Sequence, residues 1–154
     1  MPYPPIDVTA MWSKTSDSLV TLVDYIPDDK LNWSPREHLW NFKGLLIHTI
    51  TVRHNWLENA VGDGAETPNV LAEAQAKDAI REHLQRSWER VERFMSGQAK
   101  LHTVYEGAHP DGVHYSLTGH WIAYHLLEHD IHHRADIFHY LALLGIEHPD
   151  VGTP

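Results

Sequence analysis

The chain has 154 residues, 42% of them hydrophobic and 21% charged, with a formal net charge of -9 when its 14 histidines are neutral. That is ordinary globular composition for a single domain over residues 1–154 with one sizeable core, and the acidic balance speaks against a nucleic-acid surface, which needs a basic patch. The absence of cysteine excludes disulfides, thiolate-bound zinc and a thiol nucleophile of the chain's own, so any metal site must be built from His and carboxylates.

In chain order, the first predicted helix runs from about Asp7 to Tyr25. Asp7 or Thr9 caps it, Met11, Leu19, Leu22, Val23 and Ile26 recur at helical spacing, and Pro27 ends it. Residues 28–37 read as a loop. The second helix starts at His38 or Asn41 and reaches Val61, stopped by Gly62-Asp-Gly64. A third helix, capped by Asn69, is expected from Val70 to Ser96 with a narrow apolar stripe that includes Ala72, Ala76, Ile80, Leu84, Trp88 and Val91. Residues 98–117 read as irregular, with at most a short strand at 103–105 and no sheet. Ser116 or Thr118 caps a fourth helix that ends near Leu144 at Gly145. Four long helical patterns predict an all-α, antiparallel four-helix bundle. The Pro-rich ends are expected to fray. Nothing resembles a signal peptide, and no apolar run approaches the roughly 20 residues of a membrane span, so a soluble cytoplasmic protein with no membrane partner is expected.

The fourth helix carries the chemistry. In His125-Leu-Leu-Glu-His129-Asp-Ile-His-His133-Arg134, three histidines stand four apart, each about 40° from the last on the helix surface. A His pair at i and i+4 can grip one ion with both rings. His129 and His133 border the apolar arc of this helix, whereas His132 and His139 lean away from it. His125 completes the line and ranks next. On the second helix, His48 lies at the edge of the stripe of Leu45, Val52 and Trp56, while His54 falls among Thr51 and Glu58 and is read as solvated. His48 is therefore the better ligand from another helix. Three His ligands would leave open coordination positions, the form of a catalytic site. His38, His83, His102, His109, His114 and His148 are read as surface residues. Asp130 and Arg134 are read as a helix ion pair of a few tenths of a kcal/mol; the functional alternative places Arg134 near an acidic ligand group or at a subunit contact. The His125-x-x-Glu128-His129 match to an inverted zinc-peptidase motif suits a much larger enzyme. A di-iron carboxylate bundle would need Glu-x-x-His on two helices, and Glu128 is followed three later by Ile131.

Over nearly its whole length the chain resembles the DinB-like (YfiT-type) family of small bacterial four-helix bundles. The resemblance rests on Gly44-Leu-Leu-Ile-His48, on Thr118-Gly-His-Trp-Ile and on His129-Asp-Ile-His-His133-Arg134 followed by Tyr140-Leu-Ala-Leu-Leu-Gly145. The family's pattern is similar to His-Glu-x-x-His-Arg-Gly-Gln; here Asp130, Ala135 and Asp136 replace its Glu, Gly and Gln. The resemblance implies a divalent ion, often Zn or Ni, held by His48, His129 and His133, and selects against His125 as third ligand. It also implies a homodimer and a small-molecule ligand, since the family includes S-transferases and isomerases that use low-molecular-weight thiols. Two functions follow as expectations: a metal-dependent thiol S-transferase, with Tyr124, Arg134 and Trp56 as candidate substrate contacts, or a non-catalytic metal-binding stress-response protein.

Overall fold

The computed structural model describes residues 7–149, so the chain ends expected to fray lie outside the described residues. Helix α1 (Val8–Tyr25) begins where Asp7 Oδ1 accepts from the Ala10 amide at 2.9 Å. It ends because Ile26 precedes a proline and takes an extended conformation. After a short 3-10 turn (Asp28–Lys30), Asn41 caps α2 (Phe42–Asn55), its side chain accepting from the Gly44 amide at 2.7 Å. The helix then widens into a π-helical turn (Trp56–Val61) before Gly62.

The expected third helix is broken. It forms α3 (Val70–Glu73), capped by Asn69, and α4 (Lys77–Met95), with Ala74 and Ala76 outside helical geometry. Val70, Ala74 and Ile80 are all buried in one cluster. In an unbroken helix Ile80 would point about 120° away from Ala74, so the break returns it to the core. Ala72 and Ala76, expected in the stripe, are exposed.

Residues 98–117 also depart from expectation. They form α5 (Gln98–His102) and an antiparallel hairpin, β1 (Val104–Ala108) with β2 (His114–Thr118), registered from Val104 opposite Thr118 to Ala108 opposite His114. Tyr105 and Leu117 face inward against the core and their neighbours face out, the period-2 pattern of a half-covered sheet. Thr118 then caps α6 (Gly119–Leu143), its hydroxyl accepting from the Trp121 amide. Gly119 is required there, because a Cβ would fall 2.2 Å from the Lys100 carbonyl oxygen. At the far end Gly145 takes φ 71° and closes a Schellman motif, with the Ile146 amide donating to the Leu141 carbonyl at 2.9 Å.

The long helices α1, α2, α4 and α6 surround two hydrophobic clusters. One gathers Leu19, Leu22, Phe42, Leu46, Ile50, Leu84, Ile137 and Leu141; the other gathers Trp12, Leu57, Trp88, Phe94, Ile122 and Leu126. Each helix crosses from one cluster to the other, which fixes its direction. α1 packs on α4 and α2 on α6 as antiparallel pairs. Residues 62–76 carry the chain back along the bundle, so α4 runs parallel to its other neighbour, α2. Between the clusters lies a polar layer with one residue from each long helix: Ser16, Arg53, Ser87 and Asp130, all buried.

Candidate metal centre

The antiparallel packing of α2 on α6 brings His48 opposite the i, i+4 pair His129 and His133. The Nε2 atoms of His48 and His129 are 2.9 Å apart. The ring centroids of His129 and His133 are 4.4 Å apart, and those of His48 and His133 are 5.0 Å apart with perpendicular planes. One ring nitrogen from each of the three lies within 4.8 Å of the others, a set that could hold a metal ion. All three side chains are half-buried.

The protonation of these rings suits that role. Burial, and the repulsion from a charged His133, hold His48 down to about 4. Burial and the neighbouring histidines, His133 foremost, hold His129 down to about 3. His133 is also lowered by burial, but its Nδ1 donates to Asp136 Oδ2 at 3.0 Å, which opposes the shift. Neutral rings at pH 7 present lone pairs, the form a cation needs. The carboxylate on His133 Nδ1 fixes that tautomer and leaves Nε2 to face a ligand. Among the described residues, His129 Nδ1 is buried with no protein partner, and the ring's other nitrogen meets His48. Trp40, from the loop before α2, stands edge-on to His48 with centroids 4.1 Å apart and forms a wall of the site.

The other candidates fall elsewhere. His125 stacks on Trp121, centroids 5.1 Å apart and planes 10° apart, with Trp56 at its edge. Its centroid is 6.4 Å from that of His129, and it stands outside the cluster. Trp56 packs on His125 and lines a groove with Asn59, His109 and Tyr115. Tyr124 is 62% exposed. Arg134 turns to α1, where its Nη1 donates to Ser18 Oγ at 3.1 Å. A second possible ligand set, His132, His133 and Asp136, shares His133 with the first and is partly exposed.

Three expectations are corrected. Asp130 does not pair with Arg134; it pairs with Arg53 at 2.8 Å, with both side chains fully buried. Trp12 Nε1 also donates to Asp130 Oδ2, while Arg53 Nη1 donates to Ser87 Oγ and the Leu84 carbonyl. The signal was present in α2, where Arg53 lies three after buried Ile50 and four before buried Leu57. His54 is not solvated but 3% exposed, accepting from Arg90 Nη1 at 3.0 Å, because α4 covers that second face of α2. Burial and the charge of Arg90 hold its pKa down to about 4. His83 is 4% exposed, with Nε2 3.3 Å from a Glu73 carboxylate oxygen, a contact made possible by the break between α3 and α4. Asp136 and Trp40 were not singled out as site residues, and Trp40 carries no periodic signal because it belongs to a loop.

The architecture is similar to that of three solved bacterial proteins. A DinB-like protein from Bacillus subtilis aligns with a TM-score of 0.70 at 17% identity, covering 95% of this chain and 97% of the other. A DinB-like protein from Bacillus cereus aligns at 0.69 and 17%, covering 90% and 91%. A putative member of the DinB family from Exiguobacterium sibiricum aligns at 0.70 and 16%, covering 96% and 99%. At these identities the likeness concerns the fold alone. Comparison with curated proteins returns no match. The family model described as DinB family matches residues 5–154, and with the fold it establishes that the chain belongs to the DinB family.

Proposed function

We propose that this protein binds one divalent metal ion, Zn or Ni, through His48, His129 and His133, and uses it to transfer a low-molecular-weight thiol to an electrophilic acceptor. The observation that carries the reading is the convergence of three neutral imidazoles from two helices, with Asp136 orienting one of them. Three protein ligands would leave coordination positions open. A bound ion supplies Lewis acidity that keeps a thiol as the nucleophilic thiolate at neutral pH.

The chain's own residues define the rest. His48 anchors the site to α2, while His129 and His133 anchor it to α6. Asp136 accepts a hydrogen bond from His133 Nδ1–H and so keeps the other nitrogen directed inward. Trp40 packs against one side of the His48 ring. With no cysteine in the sequence, the nucleophile comes from a cosubstrate.

Metal content by elemental analysis, in the wild type and in a His129→Ala/His133→Ala variant, tests the site: one ion per chain in the first and none in the second is expected. Equal content in both would remove the basis of the proposal. Consumption of bacterial thiols in the presence of an electrophile panel, with and without chelator, then tests the reaction. Chelator-sensitive consumption supports the transferase; metal binding without consumption assigns a binding protein instead.

A further inference from the structure

His48 also lines a groove of about 540 Å³ between the start of α2 and the α3 segment, a volume that suits a small molecule. Trp40, Ile47 and Leu71 provide its apolar walls. Leu71 is 71% exposed and Trp40 48% exposed. Among the described residues that line the groove, Lys43 is the one charged side chain, on a chain whose net charge is -9. Its ammonium donates to the neutral Gln75 Oε1 at 3.1 Å, so its charge is not cancelled by a carboxylate there. The Phe42, Lys43 and Gly44 amides at the start of α2 are already taken by the Trp33 carbonyl, the Leu31 carbonyl and Asn41 Oδ1. Lys43 is thus the group available to meet an anion, aided by the positive end of the helix.

We infer that this groove is a substrate subsite for a small organic anion, with its apolar body between Trp40, Ile47 and Leu71 and its carboxylate at Lys43. Lys43 precedes His48 by five residues, about 7.5 Å along a helix axis. A ligand that spans both therefore carries its anionic group several bonds from its reacting atom. The inference rests on the proposed metal centre for the reaction, but not for binding.

The test uses tryptophan fluorescence of the full chain, titrated with 3-phenylpropionate and with the uncharged 3-phenylpropanamide, each with zinc and with chelator. Trp40→Phe assigns the signal to the groove. The carboxylate is expected to bind about ten-fold more tightly than the amide, the scale of one charge-assisted contact. Lys43→Gln should erase that preference and Lys43→Arg should keep it, with zinc binding unchanged in both. No binding by either probe, equal affinities, or a preference that survives in Lys43→Gln overturns the subsite. A wild type that binds no zinc yet retains the preference supports the subsite and removes only the metal reading.

Discussion

Two polar clusters sit side by side between α2 and α6. In the first, Arg53 and Asp130 are fully buried, and the guanidinium donors find Asp130, Ser16, Ser87 and the Leu84 carbonyl. In the second, His48, His129 and His133 are half-buried and turn ring nitrogens toward one another. The first cluster is satisfied by the protein itself, and its net contribution is set by the desolvation of two charges against their mutual contacts. The second is completed only in part from within: His48 and His129 can share one proton, His133 donates to Asp136, and His129 Nδ1 has no partner among the described residues. Completeness, rather than polarity or burial, separates the cluster that fastens two helices from the one suited to an external ion.

The largest expected effect tests the first cluster. Asp130→Ala leaves Arg53 buried without its counter-charge and should cost about 3–5 kcal/mol of stability in urea unfolding. Replacing both residues together, Arg53→Met with Asp130→Leu, should recover most of that loss. A double variant as unstable as the single one would show that the pair is not the source. Next, zinc at about 100-fold over its dissociation constant should stabilise the wild type by about 2.7 kcal/mol and leave His129→Ala/His133→Ala unaffected. Equal stabilisation of the two would erase the distinction between the clusters.

Asp136→Asn probes the support of the trio. Losing the carboxylate on His133 Nδ1 should weaken zinc affinity by about 10- to 100-fold, measured by competition with a chelating dye, with little change in metal-free stability. An unchanged affinity would mean that His133 is oriented by packing alone.

The last comparison is the pH dependence of the metal-free protein. His48 and His129 stay neutral in the fold down to about 4 and about 3, while in the unfolded chain they bind protons near 6.5. Below 6.5 the unfolded state therefore holds more protons, so stability falls as pH falls toward 4 and is fully present above 6.5. His54 adds in the same direction. The urea midpoint should drop across this window in the wild type and drop less in a variant with His48 and His129 both replaced by Gln. Equal slopes would show that the trio is not held neutral by the fold.

Helix periodicity was legible along the chain, and so in part were the ends: Asn69 caps α3 as read, Asp7 and Thr118 are each one of two alternatives, Asn41 caps the helix for which it was one of two possible starts, and Gly145 ends α6. The spacing of His129 and His133 placed them on one face because a helix repeats locally. What stayed hidden depends on partners distant in sequence. Asp130 had a visible neighbour four residues on, yet its partner is Arg53, 77 residues away. His54 looked exposed because a single helical wheel has one interior side, whereas α2 packs against both α4 and α6.

The amino-acid sequence by itself determined the four long helical stretches, where most of them start and stop, and that any metal ligands must be imidazoles or carboxylates. These are consequences of local backbone geometry and of side-chain inventory. Only the tertiary structure decided where the third helix breaks, that residues 104–118 form a hairpin, and how closely His48 faces the pair His129 and His133. Those outcomes depend on how helices pack around a shared core, where burial of Ile80 outweighs an unbroken helix and one layer of buried polar groups fastens α2 to α6 beside the histidines.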